Sequence, residues 1–148
     1  MSPDVEAEDV RNPQSMARIL LIGCDSIQSA SLTRGLHAHG YEIVEISDPI
    51  GVLECMYGMK GAPPDVLLIN LDTTIHRSGM ELIKIVRSFR PGFPIIVNSS
   101  AETVAGTDDL EASGVPVIHE PIDFQQLDRD IRALMALART VRRGSLSL

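Results

Sequence analysis

The sequence predicts an α/β domain in which a parallel sheet carries helices on both faces. Apolar runs and helical segments alternate five times over roughly 120 residues, which favours strand–helix units over two separate layers. Residues 66–69 are apolar without alternation, as in a central parallel strand that is covered on both sides. Right-handed crossovers then distribute the helices over the two faces. A chain of 148 residues is one ordinary domain with a full hydrophobic core.

Each predicted strand is a short apolar run that ends at a glycine or a polar residue. The five runs lie at 17–23, 41–47, 65–70, 93–99 and 115–119. The carboxyl ends of parallel strands meet at one edge of the sheet, where ligands and chemistry are usually found. That edge therefore gathers Gly23, Cys24, Asp25, Asn70, Asp72, Asn98, Ser99, Ser100, His119 and Glu120.

Capping residues mark the first two helices. One begins at Asp25 or Ser26 and ends before Gly40, and the next has Asp48 as its cap and Pro49 at its first position.

Apolar stripes and a cap predict the remaining three helices. The third carries Met80, Ile83, Val86 and Phe89. A short fourth helix begins after Thr107, and a long fifth helix runs from 123. Its stripe consists of Phe124, Leu127, Ile131, Leu134 and Ala138.

Composition excludes several classes of protein. The net charge of −7 argues against a DNA-binding protein, since phosphate contacts need a basic face. The two cysteines form neither a disulfide framework nor a metal cluster, so no metal is expected. No apolar run approaches the ~20 residues of a membrane span, and the start lacks the pattern of a signal peptide. We expect a cytoplasmic protein with a flexible acidic arm at 1–15, a domain at 16–138 and a basic tail at 139–148.

Four motifs, in order along the chain, resemble the receiver domains of bacterial response regulators. They are ILLIGCDS, PDVLLINLD, FPIIVNSS and VIHEPIDFQQL, and together the resemblance covers 17–138. It implies a doubly wound, flavodoxin-like (βα)5 fold whose five-stranded parallel sheet has the order 2-1-3-4-5.

The sequence departs from the receiver pattern at the positions that carry its chemistry. The resemblance places the acidic pair on Gly23 and Cys24, with Asp25 just beyond, and the phosphoryl-accepting aspartate on Asn70. It places the lysine on Glu120. Two further positions of the implied pocket are Ser99, which keeps the hydroxyl, and Pro121, which follows the lysine position. Outside the pocket, Val117 stands where receivers have a switching aromatic.

These departures predict a degenerate receiver, or pseudo-receiver, without enzymatic activity or cofactor. An amide cannot form an acyl phosphate, because that step needs an ionised carboxylate. Magnesium binds charged oxygen ligands, which the Gly23–Cys24 pair does not supply. Glu120 would repel the ~−1.5 to −2 charge of a phosphoryl group. Glu120 would instead accept hydrogen bonds from Asn70 or Ser99 in a closed polar cluster.

Other interpretations of this edge stay open. Asp72 or Asp25 could replace the missing acceptor, although a hydrogen-bonding loop carboxylate is the simpler interpretation. Cys24 could sense oxidants, or serve as a small buried hydrophobe. Ser100 is assigned to the pocket by position alone.

The arginines of the tail offer a second function. Arg139 and Arg143 have the R-x-x-x-R spacing, which resembles a motif of some cyclic di-GMP binders, and Arg142 lies between them. Guanidinium groups suit phosphates and stack on bases. Cations in the last turn of a helix also complement its dipole, so the motif alone does not decide.

The sequence therefore predicts a stand-alone receiver-like domain in bacterial signalling, acting by phosphorylation-independent protein–protein interaction. The partner is a histidine kinase, another regulator or a motility or polarity complex. The resemblance implies docking or homodimerisation on the face formed by the fourth helix, fifth strand and fifth helix. The residues predicted there are Val104, Asp108, Asp109, Glu111 and Val117. The alternatives are an effector that binds cyclic di-GMP and a conventional phosphoryl-accepting switch.

Overall fold

A computed structural model describes most of the predicted domain. The described residues are 17–23, 26–59, 61, 63–71, 76–99, 114–119 and 121–146. In chain order the elements are β1 (Arg18–Ile22), α1 (Ser26–Ala38), β2 (Glu42–Ile46), α2 (Pro49–Met56), β3 (Val66–Leu71), α3 (His76–Phe89), β4 (Ile95–Ser99), β5 (Val117–His119) and α4 (Phe124–Leu146). The helix predicted after Thr107 lies outside the described residues, so α4 is the fifth predicted helix.

All five strands form one parallel sheet in the order β2-β1-β3-β4-β5, which confirms the predicted topology. Strand β3 lies at the centre and is buried along its whole length. Its apolar side chains alternate between the two faces, so an uninterrupted apolar run supplies two core layers at once.

The two core layers hold different helices. One layer packs α2 and α3 against the sheet through side chains that include Val52, Ile83 and Val86. The opposite layer packs α1 and α4 through side chains that include Leu36 and Leu127. The stripes predicted for α3 and α4 face these layers and are buried or half-buried throughout.

Local signals mark the starts of two helices; Asp48 is the predicted cap of α2, whereas Asp123, predicted as the first residue of the last helix, is its cap. The carboxylate of Asp48 accepts a hydrogen bond from the backbone N–H of Gly51 at 2.8 Å, and Pro49 follows as the first residue of α2. Asp123 caps α4 by accepting from the N–H groups of its second and third residues, Gln125 and Gln126, at 3.1 and 3.2 Å. None of the described helices combines the length and the apolar character needed to cross a bilayer.

A buried tyrosine ties the start of β2 to α4. The Tyr41 hydroxyl donates to Oδ1 of Asp128 at 2.6 Å, and Arg132 donates to both oxygens of the same carboxylate at 3.1 Å. Burial, followed by the bond to Asp128, raises the pKa of Tyr41 above its ordinary value. Burial by itself raises the pKa of Asp128, but the hydrogen bonds from Tyr41 and Arg132 outweigh this effect, so the pKa of Asp128 is lowered.

Candidate functional site

The carboxyl edge of the sheet holds a buried pair of asparagines. Asn70 on β3 and Asn98 on β4 are partners in the strand register and are almost completely buried, at 0% and 1% exposure. Nδ2 of Asn70 donates to the backbone carbonyl of Gly23 at 3.1 Å, and Nδ2 of Asn98 donates to Oδ1 of Asn70 at 2.8 Å. A chain of hydrogen bonds therefore crosses from the end of β1 through β3 to β4.

The carbonyl of Gly23 fixes the direction of this chain. A carbonyl only accepts, so the Asn70 amide must present its nitrogen to Gly23 and its oxygen to Asn98. Asn98 must then present its own nitrogen, which directs its Oδ1 elsewhere. That oxygen is buried and has no hydrogen-bond partner among the described residues.

Gly23 has a backbone conformation that suits glycine. Its φ angle of 93° lies in a region that residues with a Cβ atom rarely adopt. The resemblance places the first residue of the acidic pair here, and an aspartate would be strained at this φ angle. In this conformation the backbone carbonyl of Gly23 accepts the hydrogen bond from Asn70.

Position 70 therefore favours an amide over a carboxylate. In a carboxylate, an oxygen would replace Nδ2, about 3.1 Å from the Gly23 carbonyl oxygen. Both oxygens only accept hydrogen bonds, so they would repel each other. Burial adds a desolvation penalty for the ionised form. Asn70 hydrogen-bonds to Asn98 and to the backbone of Gly23, and its amide offers no nucleophile for phosphoryl transfer.

The structure describes several of the other predicted site residues. Ser99 is fully buried on β4, beside Leu71 in the register, and Pro121 is exposed just before α4. Among the described residues, no group of three histidine, cysteine, aspartate or glutamate side chains could hold a metal ion. The following predicted pocket residues lie outside the described residues: Cys24, Asp25, Asp72, Ser100 and Glu120.

The predicted partner face is described only in part. Val117 on β5 is half-buried and is paired with Val97 of β4 in the register. The other residues predicted for this face lie outside the described residues; they are Val104, Asp108, Asp109 and Glu111.

The sequence predicts no role for Asn98 beyond a place among the polar residues of the sheet edge, whereas the structure makes it the hydrogen-bond partner of Asn70. The resemblance points to the neighbouring hydroxyl of Ser99 instead. The sequence signal for this pair is its position: Asn98 and Asn70 are each the first polar residue after an apolar run, and the two runs form adjacent strands. Matching these two positions needs the strand register, which the sequence does not state.

The arginines of the tail lie far from the asparagine pair. The helix α4 continues to Leu146, so Arg139, Arg142 and Arg143 are all helical. Arg139 is exposed and lines a groove with Arg90, at the edge of the sheet where β3 and β4 begin. The side chains of Arg142 and Arg143 lie outside the described ones.

Comparison with solved structures assigns the fold. A response regulator receiver domain protein from Clostridium thermocellum superposes with a TM-score of 0.68 at 18% identity, over 90% of this chain and 100% of that one. A response regulator receiver protein from Sinorhizobium medicae gives a TM-score of 0.66 at 18% identity, over 82% and 96%. NtrX from Brucella abortus, in complex with ADP, gives 0.71 at 17% identity, over 88% of this chain and 29% of NtrX.

The chain therefore has the fold of response-regulator receiver domains, as the resemblance implied. No protein-family model matches the sequence, and no curated protein matches it. At these identities the shared property is the fold, and the function has to be argued from the site.

Proposed function

We propose that this protein is a receiver-fold signalling domain that acts by binding a protein partner without being phosphorylated. The observation that carries the proposal is the buried Asn70 amide, held between the Gly23 carbonyl and Asn98 at the acceptor position. It is proposed to have no catalytic activity and to use no cofactor or metal.

Three independent properties support the loss of phosphoryl transfer. Asn70 lacks the carboxylate that attacks a phosphoryl donor. The φ angle of Gly23 disfavours an aspartate where receivers begin their magnesium-binding pair. The sequence places Glu120 where receivers have a lysine, which reverses the charge offered to a phosphoryl group.

Incubation with acetyl phosphate and magnesium tests this proposal directly. The intact mass of the protein should not change, whereas a conventional receiver treated in parallel should gain one phosphoryl group. Asn70→Asp should also stay unmodified, because the Gly23–Cys24 pair and Glu120 remain. A labile phosphoryl group on Asp72 or Asp25 of the wild type would contradict the proposal.

The proposed partner is a histidine kinase, another regulator or a motility or polarity complex, with a second copy of the chain as a further candidate. The proposed contact surface is the face of the predicted fourth helix, β5 and α4. Val117 supports a face that needs no signal, because valine cannot make the ring rotation that couples this face to a phosphorylated pocket in receivers. The protein is proposed to work in the cytoplasm.

Binding of cyclic di-GMP remains a second candidate function. The observation in its favour is that Arg139 shares its groove with a second arginine, Arg90. Titration calorimetry with cyclic di-GMP should detect binding by the wild type and none by the Arg139→Ala/Arg143→Ala variant. If the wild type gives no heat of binding, this candidate is removed and the arginines only complement the helix dipole.

A further inference from the structure

A groove at the amino edge of the sheet brings together two arginines, a carboxylate and an aromatic ring. Arg90 follows α3, Arg139 belongs to α4, and Asp65 precedes β3. The guanidinium carbon of Arg90 lies 4.9 Å from the centroid of the Phe93 ring. This groove lies at the opposite end of the strands from the asparagine pair, so it is independent of the proposed loss of phosphoryl transfer, although the cyclic di-GMP candidate uses the same groove.

The two guanidinium groups are available for an anion. Neither has a carboxylate or hydrogen-bond partner among the described residues. The Phe93 ring holds Arg90 by a cation–π contact, which does not use the N–H groups of the guanidinium as hydrogen-bond donors. Two arginines and the carboxylate of Asp65 leave one positive charge at this groove, in a protein of net charge −7, which favours an anionic group.

The size of the groove limits the anion. Its cavity volume is about 80 Å³. Sites that enclose drug-sized ligands span ~300–1,000 Å³, so the groove suits one tetrahedral oxyanion or one phosphate group of a larger ligand, the rest of which would stay outside.

Asp65 selects among the oxyanions. Its Oδ2 accepts a hydrogen bond from the backbone N–H of Arg18 at 2.9 Å, and its other oxygen has no hydrogen bond to a described residue. A carboxylate repels an oxyanion that has no proton, such as sulfate, but accepts a hydrogen bond from one that keeps a proton. We infer that this groove binds a protonated phosphate group between Arg90, Arg139 and Asp65.

Titration calorimetry of the full chain in chloride at constant ionic strength tests the inference. Inorganic phosphate should bind at about neutral pH, and sulfate should bind roughly tenfold or more weakly. Arg139→Ala should weaken phosphate binding by a similar factor. The matched control is Arg129→Ala on the same helix, because Arg129 contacts Gln126 and is not in the groove; it should bind as the wild type does.

Two further arms identify the selecting group and the source of the phosphate. Asp65→Asn should bring sulfate binding close to that of phosphate, with an unchanged urea midpoint to show that the fold is intact. If the natural ligand is a phosphate monoester, AMP should bind with the affinity of inorganic phosphate below about pH 6, where a monoester keeps its proton, and more weakly above that pH. If AMP is excluded at both pH values, the ligand is inorganic phosphate. Absence of phosphate binding, equal binding of sulfate, or an equal loss in Arg129→Ala would overturn the inference.

Discussion

Replacing Asn70 by aspartate is the sharpest test of how the candidate site is built. The change keeps the size and shape of the side chain and exchanges one N–H donor group for an oxygen. That oxygen would face the Gly23 carbonyl, to which Nδ2 now donates at 3.1 Å. The bond from Asn98 remains, because the other oxygen still accepts it.

The free-energy change follows from the two groups that lose their partner. The carbonyl of the half-buried Gly23 costs up to ~1–3 kcal/mol when it loses this donor. A fully buried ionised carboxylate costs several kcal/mol, which the charge-assisted bond from Asn98 partly offsets. The expected loss of unfolding free energy is roughly 3–5 kcal/mol at about pH 7. With a urea dependence of ~2 kcal/mol per molar, the midpoint falls by roughly 1.5–2.5 M.

The penalty should depend on pH with a definite sign. Burial raises the pKa of an aspartate at position 70 above its ordinary value of ~3.9, so the folded state favours the protonated form. The stability of this variant is therefore highest in acid, where the carboxyl O–H donates to Gly23, and falls as the pH rises. Between about pH 5 and pH 7 the penalty should grow by up to ~2.7 kcal/mol, at ~1.36 kcal/mol per unit.

Urea unfolding at both pH values, each compared with the wild type at the same pH, measures this effect. Asn70→Ala is the matched control, because it also removes the bond to Gly23, together with the bond from Asn98, without adding a titratable group. Its penalty should be the same at both pH values. An Asn70→Asp penalty that does not change with pH, or a variant as stable as the wild type at about pH 7, would refute the reasoning.

Three further predictions concern the rest of the domain. Tyr41→Phe should cost roughly 1–2 kcal/mol at neutral pH by urea unfolding; the gap from wild type should narrow in acid, since Asp128 has a lowered pKa and loses its contribution as the pH falls through it. Gly35→Ala should cost roughly 1–3 kcal/mol, because the new methyl group would overlap the Phe124 ring, and adding Phe124→Leu should recover part of it. Asp109→Lys should weaken recovery of a protein partner in pull-down experiments, whereas Asn70→Ala should change it little; the reverse result would place the function at the asparagine pair.

The fold was predictable because its signals are local. The apolar run of β3, the Asp48–Pro49 start of α2 and the stripe of α4 each specify one element without reference to the others. The resemblance then supplied the order of the strands, which the structure confirms.

The site was predictable only in part because its contacts join distant segments. Asn70 was identified from its position at the end of a strand. The acceptor that fixes its orientation is a backbone carbonyl 47 residues away, and a sequence motif does not contain the φ angle of Gly23. The meeting of Arg139 with Arg90 likewise depends on how α4 lies across the sheet, which the spacing of the arginines does not show.

The asparagine pair has a consequence for the alignment of the two central strands. Residues 66–69 of β3 and 95–97 of β4 are all apolar, so side-chain burial alone discriminates weakly between neighbouring registers. Sliding β4 by two residues would place an asparagine beside an aliphatic side chain and leave buried amide groups without partners, at ~1–3 kcal/mol each. The hydrogen bond of 2.8 Å between Asn98 and Asn70 thus stabilises one register of two nearly uniform apolar strands relative to the neighbouring registers.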